Sequence, residues 1–424
     1  MRVAYITAGA AGTVCGNCLS DNALAAALMR LGHDVVLLPA YTPVLTDEAD
    51  VSYGRIVFGG VNLYLQAKLP LLRSTGLLDW LLDSPRLLRW VSNFAVDTDP
   101  ANLGAMTQDM FAGESGPYRR EMRKLVRVLR TIRPQVVHLT NSMLASMAGP
   151  VRSELGIPVV CSLQGEGDFL NRLPEPHRAA CYEWLGRHAR HIDRFVAPCD
   201  DQTRAMAPHL GTAARRVDKV LPGISVEGFK RGKRRTDGPF VVGFLARISP
   251  EKGLALLAEA VERLRAAHPD REIRLRVAGW RAEAAREYVD GLKARYGLED
   301  LGYLSREDKF EFLAGLDAFA VPTAYAASKG LYVLEALAAG VPVVQPRIGA
   351  FPELVEATGG GYLCEAGDSR DLAAQLGRLL RDPEGARRMG ARGRRAVLER
   401  FHTGRMAAET ATVYERVLSV DGAE

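Results

Sequence analysis

Arg247, Lys252, Gly330 and Glu335 could together grip a phosphorylated ligand. Arg247 and Lys252 stand five residues apart in G-F-L-A-R-I-S-P-E-K-G-L, Gly243 to Leu254, in a turn between an apolar strand and a helix. A helix amino terminus offers unpaired N–H groups and the positive end of its dipole, so two cations beside it suit a diphosphate. Gly330 opens a second helix in K-G-L-Y-V-L-E-A-L-A-A-G and leaves its first amides free for further phosphate oxygens. Glu335 follows about one and a half turns in, where a carboxylate can accept hydrogen bonds from ribose hydroxyls. In the plainer alternative the two cations belong to a solvated turn and Glu335 merely complements a helix dipole. Its apolar neighbours Leu334, Ala336 and Leu337 argue against a fully exposed carboxylate.

A second group of polar residues lies nearer the middle of the chain. The turn Q-G-E-G-D, Gln164 to Asp168, follows an apolar run. Glu166 and Asp168 can hydrogen-bond a hydroxyl or take up a proton, whereas Gln164 can only hydrogen-bond. Both carboxylates also suit turns or caps. Near the amino terminus, A-G-A-A-G-T-V-C-G-N-C sets Gly9, Gly12 and Gly16 ahead of a helix, a weak signal as a bare glycine pattern. Cys15 and Cys18 within it read in isolation as a dithiol at a helix amino terminus. No thioredoxin-sized unit surrounds them, and one Cys pair without further ligands is a poor zinc site. Asp97 and Asp99 form a lone D-T-D, common by chance, and no metal is expected there.

These residues need a scaffold of strands that end in ligand-facing turns. Val3 to Thr7 reads as a buried strand, Asp21 to Leu31 as a helix closed by Gly32, and Asp34 to Pro39 as a second strand. Strands follow at Val136 to Leu139, Val159 to Leu163 and Arg194 to Ala197. The polar, basic stretch between Ile224 and Phe240 is the linker candidate. Beyond it the same logic repeats, with strands Phe240 to Leu245, Leu275 to Ala278, Ala318 to Val321 and Val341 to Gln345. Helices are expected at Leu254 to Arg265, Ala282 to Tyr296 and Gly330 to Ala339. The fold class is α/β, two Rossmann-like domains facing a cleft lined by the carboxyl ends of their strands. Tyr41 to Ser115 is less regular and reads as an inserted subdomain or long loops.

Composition narrows the class further. A chain of 424 residues, 47% hydrophobic and 25% charged, has the make-up of a soluble protein of two domains, or three small ones. A formal charge of +5 is small for this length and implies no general affinity for nucleic acid. With no membrane-spanning run, no secretory leader and Cys residues in apolar settings, a cytoplasmic location is expected. Arg119 to Arg133 forms an amphipathic pattern with Met122, Leu125, Val126 and Leu129 on one face and cations on the other. Such a helix either packs on its own sheet, the favoured reading, or rests on anionic lipid as a peripheral membrane contact.

The joint pattern resembles the retaining glycosyltransferases of the GT-B class, family 4 (glycosyl transferases group 1). The resemblance extends to L-P-G-I-S-V-E-G-F at 221 to 229, L-G-Y at 301 to 303 and I-G-A-F-P-E-L-V at 348 to 355, so it covers nearly the whole chain. It implies domains at 1–225 and 226–402, with a C-terminal helix at 403–419 packing back on the first. It implies that Arg247, Lys252 and the amides of Gly330 and Leu331 bind the diphosphate of a UDP-, GDP- or ADP-sugar, and that Glu335 holds its ribose. Gly302 to Leu304, with Tyr303 at the centre, would line the nucleobase pocket, and Gly16 would touch the donor from the first loop. No metal or other cofactor is implied; the acceptor is a sugar, lipid or small-molecule hydroxyl.

The chain departs from the family at two places. Ala327 stands eight residues before Glu335, where the family carries its first Glu, and Gln164 stands where a His often faces the sugar. Glu166 and Asp168 are then the candidates for catalysis in the first domain. Beside the transferase reading stand a weakly active or inactive sugar-nucleotide-binding protein and, more remotely, a dithiol oxidoreductase using Cys15 and Cys18.

Overall fold

The computed structural model describes residues 1–9, 16–53, 100–230 and 238–421. Gly12, Cys15, Asp97, Asp99 and most of the irregular stretch after Tyr41 lie outside the described residues. The chain divides into two compact units, 1–221 with 404–424, and 222–403.

The first unit holds six described strands: β1 (Arg2–Thr7), β2 (Asp34–Pro39), β3 (Val136–Leu139), β4 (Val159–Ser162), β5 (Arg194–Ala197) and β6 (Val217–Lys219). They pair in parallel in the order β2-β1-β3-β4-β5-β6. Every residue of β3 and β4 is buried, as expected for a parallel sheet covered on both faces, and this explains their near-continuous Val-rich text.

One face is covered by a core that includes Met122, Leu125 and Leu129 of the helix Arg119–Ile132. The apolar side of that amphipathic helix is therefore spent on its own unit. The other face is covered by the helix Gly16–Arg30 and by Met406, Ala407, Val413, Tyr414 and Val417 of the C-terminal helix Thr403–Asp421. Tyr414 also makes a polar anchor. Its hydroxyl lies 2.6 Å from Nδ1 of the fully buried His138, whose Nε2 lies 2.8 Å from the Ser162 hydroxyl.

The second unit repeats the plan with β7 (Phe240–Leu245), β8 (Ile273–Ala278), β9 (Glu299–Asp300), β10 (Ala318–Phe319), β11 (Val343–Pro346) and β12 (Gly361–Cys364). Their parallel order, β9-β8-β7-β10-β11-β12, is that of a dinucleotide-binding Rossmann sheet. The chain reverses its direction of growth between β7 and β10, and ligands of such sheets bind outside the carboxyl ends of strands at that point. The segment that opens this unit is packed rather than free. Ile224 N–H donates to Phe401 O at 2.9 Å, and the Phe229 ring meets Phe310 edge-on at 4.5 Å. Among the described residues no helix is long and apolar enough to cross a membrane.

Candidate active site

The turn after β7 and the loop after β10 meet at the switch point of the second sheet. Glu251 O accepts from Ala324 N–H at 2.9 Å and from the Thr323 hydroxyl at 3.1 Å, which ties the two loops together. Gly253 is in the left-handed region at φ +77°, and a Cβ there would stand 2.1 Å from Pro322 O. Only glycine permits that approach.

Lys252 is positioned by this junction. Its Nζ lies 4.7 Å from the centroid of Tyr325 and 5.2 Å from that of Tyr332. Two rings facing one ammonium fix a side chain that would otherwise sample many rotamers. Tyr332 is the second residue of the helix Leu331–Ala338, so the ammonium is held near the helix amino end. Arg247 donates to Glu251 Oε1 at 3.2 Å. Burial alone would raise the Glu251 pKa, but a hydrogen bond from its own amide and the charges of Arg247 and Lys252 bring it below the ordinary value. Both partners of the Arg247–Glu251 pair are well exposed, at 44% and 40%, and such pairs contribute about 0–1 kcal/mol. An incoming phosphate can therefore recruit the guanidinium at little cost.

Gly330 forms the cap of the helix Leu331–Ala338 with φ 60° and ψ 40° and no side chain to bond the helix end. Its carbonyl accepts from Val333 and Leu334, which leaves the Leu331 and Tyr332 amides ahead of the first intrahelical bond. Glu335, on the same helix, is not an isolated acceptor. Its Oε1 accepts from Lys309 Nζ at 2.7 Å, with the two side chains only 18% and 11% exposed. Lys309 comes from the helix Arg306–Ala314, whose first turn is capped by the Ser305 hydroxyl. It had no sequence signal, being one of two cations in S-R-E-D-K-F.

The structure brings Arg247, Lys252, Gly330, Leu331 and Glu335 onto two loops and one helix at one switch point. Tyr303 stands just beyond β9, 55% exposed, next to a turn held by Gly279 N–H to Gly302 O at 2.8 Å and Gly302 N–H to Asp300 Oδ1 at 3.0 Å. Ala327 is buried, and its carbonyl accepts from Ala350 N–H at 2.8 Å. A methyl therefore occupies the position of the expected carboxylate.

The first unit has its own switch point, between β1 and β3, and there Asp21 is a buried carboxylate. It is 1% exposed and accepts from Thr7 Oγ1 and Thr140 Oγ1 at 2.6 Å, Tyr5 OH at 3.0 Å and Gln164 Nε2 at 3.1 Å. Four neutral donors satisfy this carboxylate, and among the described residues no cation pairs with it. Glu166 is likewise engaged. It opens the helix Glu166–Asn171 and accepts from Ser142 N–H at 2.9 Å, Ser142 Oγ at 2.5 Å and Gln164 N–H at 2.6 Å. It braces the loops after β3 and β4. Asp168 pairs with Arg172 at 3.0 Å on the surface. Gly16 begins the first helix and is exposed, whereas Cys18 on the same helix is buried.

Comparison with known proteins gives this architecture a class. The family model described as glycosyl transferases group 1 matches residues 226–396, and that of the glycosyl transferase 4-like domain matches 22–223. The two matches fall one on each compact unit, and the architecture is that of the GT-B fold. Among curated relatives it is 28% identical over 286 residues to D-inositol 3-phosphate glycosyltransferase of Thermobifida fusca, covering 61% of this chain and 64% of that protein. It is 34% identical over 242 residues to the MMP alpha-(1->4)-mannosyltransferase of Mycolicibacterium hassiacum, covering 56% and 57%. The chain thus spans less than two-thirds of the length of either relative. Among solved structures, sucrose-phosphate synthase from Thermosynechococcus elongatus superposes with a TM-score of 0.72 at 16% identity, over 99% of this chain and 100% of that one. HepE of Anabaena, solved in complex with UDP, gives 0.66 at 16% identity over 98% and 100%.

Proposed function

We propose that the protein is a metal-independent, retaining glycosyltransferase that moves a sugar from a nucleoside diphosphate to an acceptor hydroxyl. The observation that carries this reading is Lys252, held over two tyrosine rings at the glycine-capped amino end of the helix that bears Glu335. Lys252, Arg247 and the amides of Leu331 and Tyr332 would hold the diphosphate, Glu335 the ribose and the turn around Tyr303 the base. The anomeric C–O bond to the β-phosphate breaks while a C–O bond to the acceptor forms on the same face. The acceptor proton passes to the departing diphosphate. Fixed cations and amides stabilise the charge that builds on that leaving group, which is where preorganised electrostatics contributes most. In the first unit Glu166 is a brace for the Gln164 turn, and Asp168 is an exposed neighbour. A curated relative named as a glycosyltransferase, and a fold neighbour solved in complex with UDP, support a donor of this chemistry.

Ala327 favours a second reading, a protein that binds the sugar nucleotide and turns it over slowly or not at all. A panel of UDP-, GDP- and ADP-sugars, followed by proton NMR without added metal, separates the two. Release of nucleoside diphosphate with a product of unchanged anomeric configuration supports the transferase. Inverted product, or turnover that requires a divalent cation, contradicts it. Tight binding without turnover leaves the second reading standing.

A further inference from the structure

Glu335 stands four residues beyond Leu331, about 6 Å along the helix axis from the amides that face the proposed diphosphate. A lone carboxylate so close to a polyanion would repel it. The ion pair with Lys309 removes that conflict. Both side chains are largely buried, and a buried lysine is retained only where a partner compensates its charge. Lys309 reaches Glu335 from a different helix, Arg306–Ala314, so the contact is tertiary.

We propose that Lys309 is a positioning residue for the ribose of the donor. It takes Oε1 of Glu335, presents Oε2 to the ribose hydroxyls, and cancels the carboxylate charge beside the diphosphate. An ionised carboxylate can only accept, so the oriented Oε2 selects a ligand that brings a hydroxyl donor to that place. This inference rests on the nucleotide reading of the site and adds the residue that sets its ribose preference.

The test is calorimetric titration of the full chain with UDP, GDP and ADP, and with the 2′-deoxy and 3′-deoxy forms of whichever binds. Wild type, Lys309→Arg and Lys309→Met are compared, with circular dichroism to confirm folding. Wild type should prefer the ribonucleotide over at least one deoxy form by about tenfold. Lys309→Met should bring that ratio close to one, and Lys309→Arg should restore part of it. A folded Lys309→Met that keeps the wild-type ratio overturns the inference while leaving the nucleotide site intact. Wild type that binds no nucleoside diphosphate overturns both. Should Lys309→Met not fold, the crystal structure of wild type with its nucleotide decides. Lys309 still on Glu335 with Oε2 on a ribose hydroxyl supports the assignment, and Lys309 swung onto a phosphate or off Glu335 refutes it.

Discussion

Lys252 Nζ stands 4.7 Å from the centroid of the Tyr325 ring, on a loop that is bonded to the lysine's own turn. The ring holds the ammonium ready for a phosphate. A cation–π contact of this kind is worth about 0.5–2 kcal/mol, so Tyr325→Leu should weaken nucleoside diphosphate binding by about two- to thirtyfold. The Tyr332 hydroxyl, in contrast, is buried without a hydrogen-bond partner among the described residues, and burial with the nearby Tyr325 holds its pKa well above the ordinary value. Tyr332→Phe should therefore preserve affinity and leave thermal stability unchanged or slightly raised. Calorimetry and thermal melts of the two variants check both statements.

Gly330 tests the helix end directly. An alanine would have to adopt φ 60°, with its Cβ 2.8 Å from Leu354 Cδ1 and 3.2 Å from Phe351 Cε1. Gly330→Ala should cost about 1–3 kcal/mol of stability in urea denaturation and abolish measurable nucleotide binding. A variant as stable as wild type would mean that the cap is built differently.

His138 predicts how the first unit responds to acid. Burial lowers its pKa from 6.5 to about 3. Above 6.5 both folded and unfolded states hold the neutral ring, and its contribution is complete. Between 6.5 and about 3 the unfolded chain takes up a proton that the folded one refuses, so stability falls as the pH falls. This group alone can supply up to about 1.4 kcal/mol per pH unit. His138→Gln should lower stability at neutral pH, through its contacts with Tyr414 and Ser162, yet show a shallower loss between pH 6 and pH 4. Parallel curves for the two proteins would sink the assignment.

Ala327→Glu addresses the missing carboxylate. If a hydrogen-bond acceptor near the donor sugar limits turnover, the variant should raise donor hydrolysis or transfer by about tenfold or more, without tightening nucleoside diphosphate binding. An unchanged rate would show that another group serves this purpose or that chemistry is limited elsewhere.

Much of this architecture was readable because parallel strands buried on both faces spell uniform apolar runs. β2, β3, β5 and β7 fall at the expected residues, and the Rossmann plan of both units followed from them. Element edges were less clear. The first helix begins at Gly16 rather than Asp21, because Asp21 resembles a helix start in sequence but is an interior residue with buried partners. Those partners, Tyr5, Thr7, Thr140 and Gln164, are separated by up to 143 residues from Asp21, so no local pattern announces them. Lys309 was silent for the same reason. A motif shows residues that share a turn or a helix, whereas the ion pair on Glu335 spans 26 residues and exists only once two helices pack. Glu166 was visible as a carboxylate, but its three hydrogen bonds to Ser142 and Gln164 were not.

In the proposed function, the switch point between β7 and β10 grips a nucleoside diphosphate through Arg247 and Lys252. Titration calorimetry of UDP, GDP and ADP into wild type and Arg247→Ala, in buffer without divalent metal, tests it most directly. At least one nucleotide should bind wild type, and Arg247→Ala should weaken it by about tenfold or more. Absence of binding by all three, or equal binding by the variant, would contradict the account.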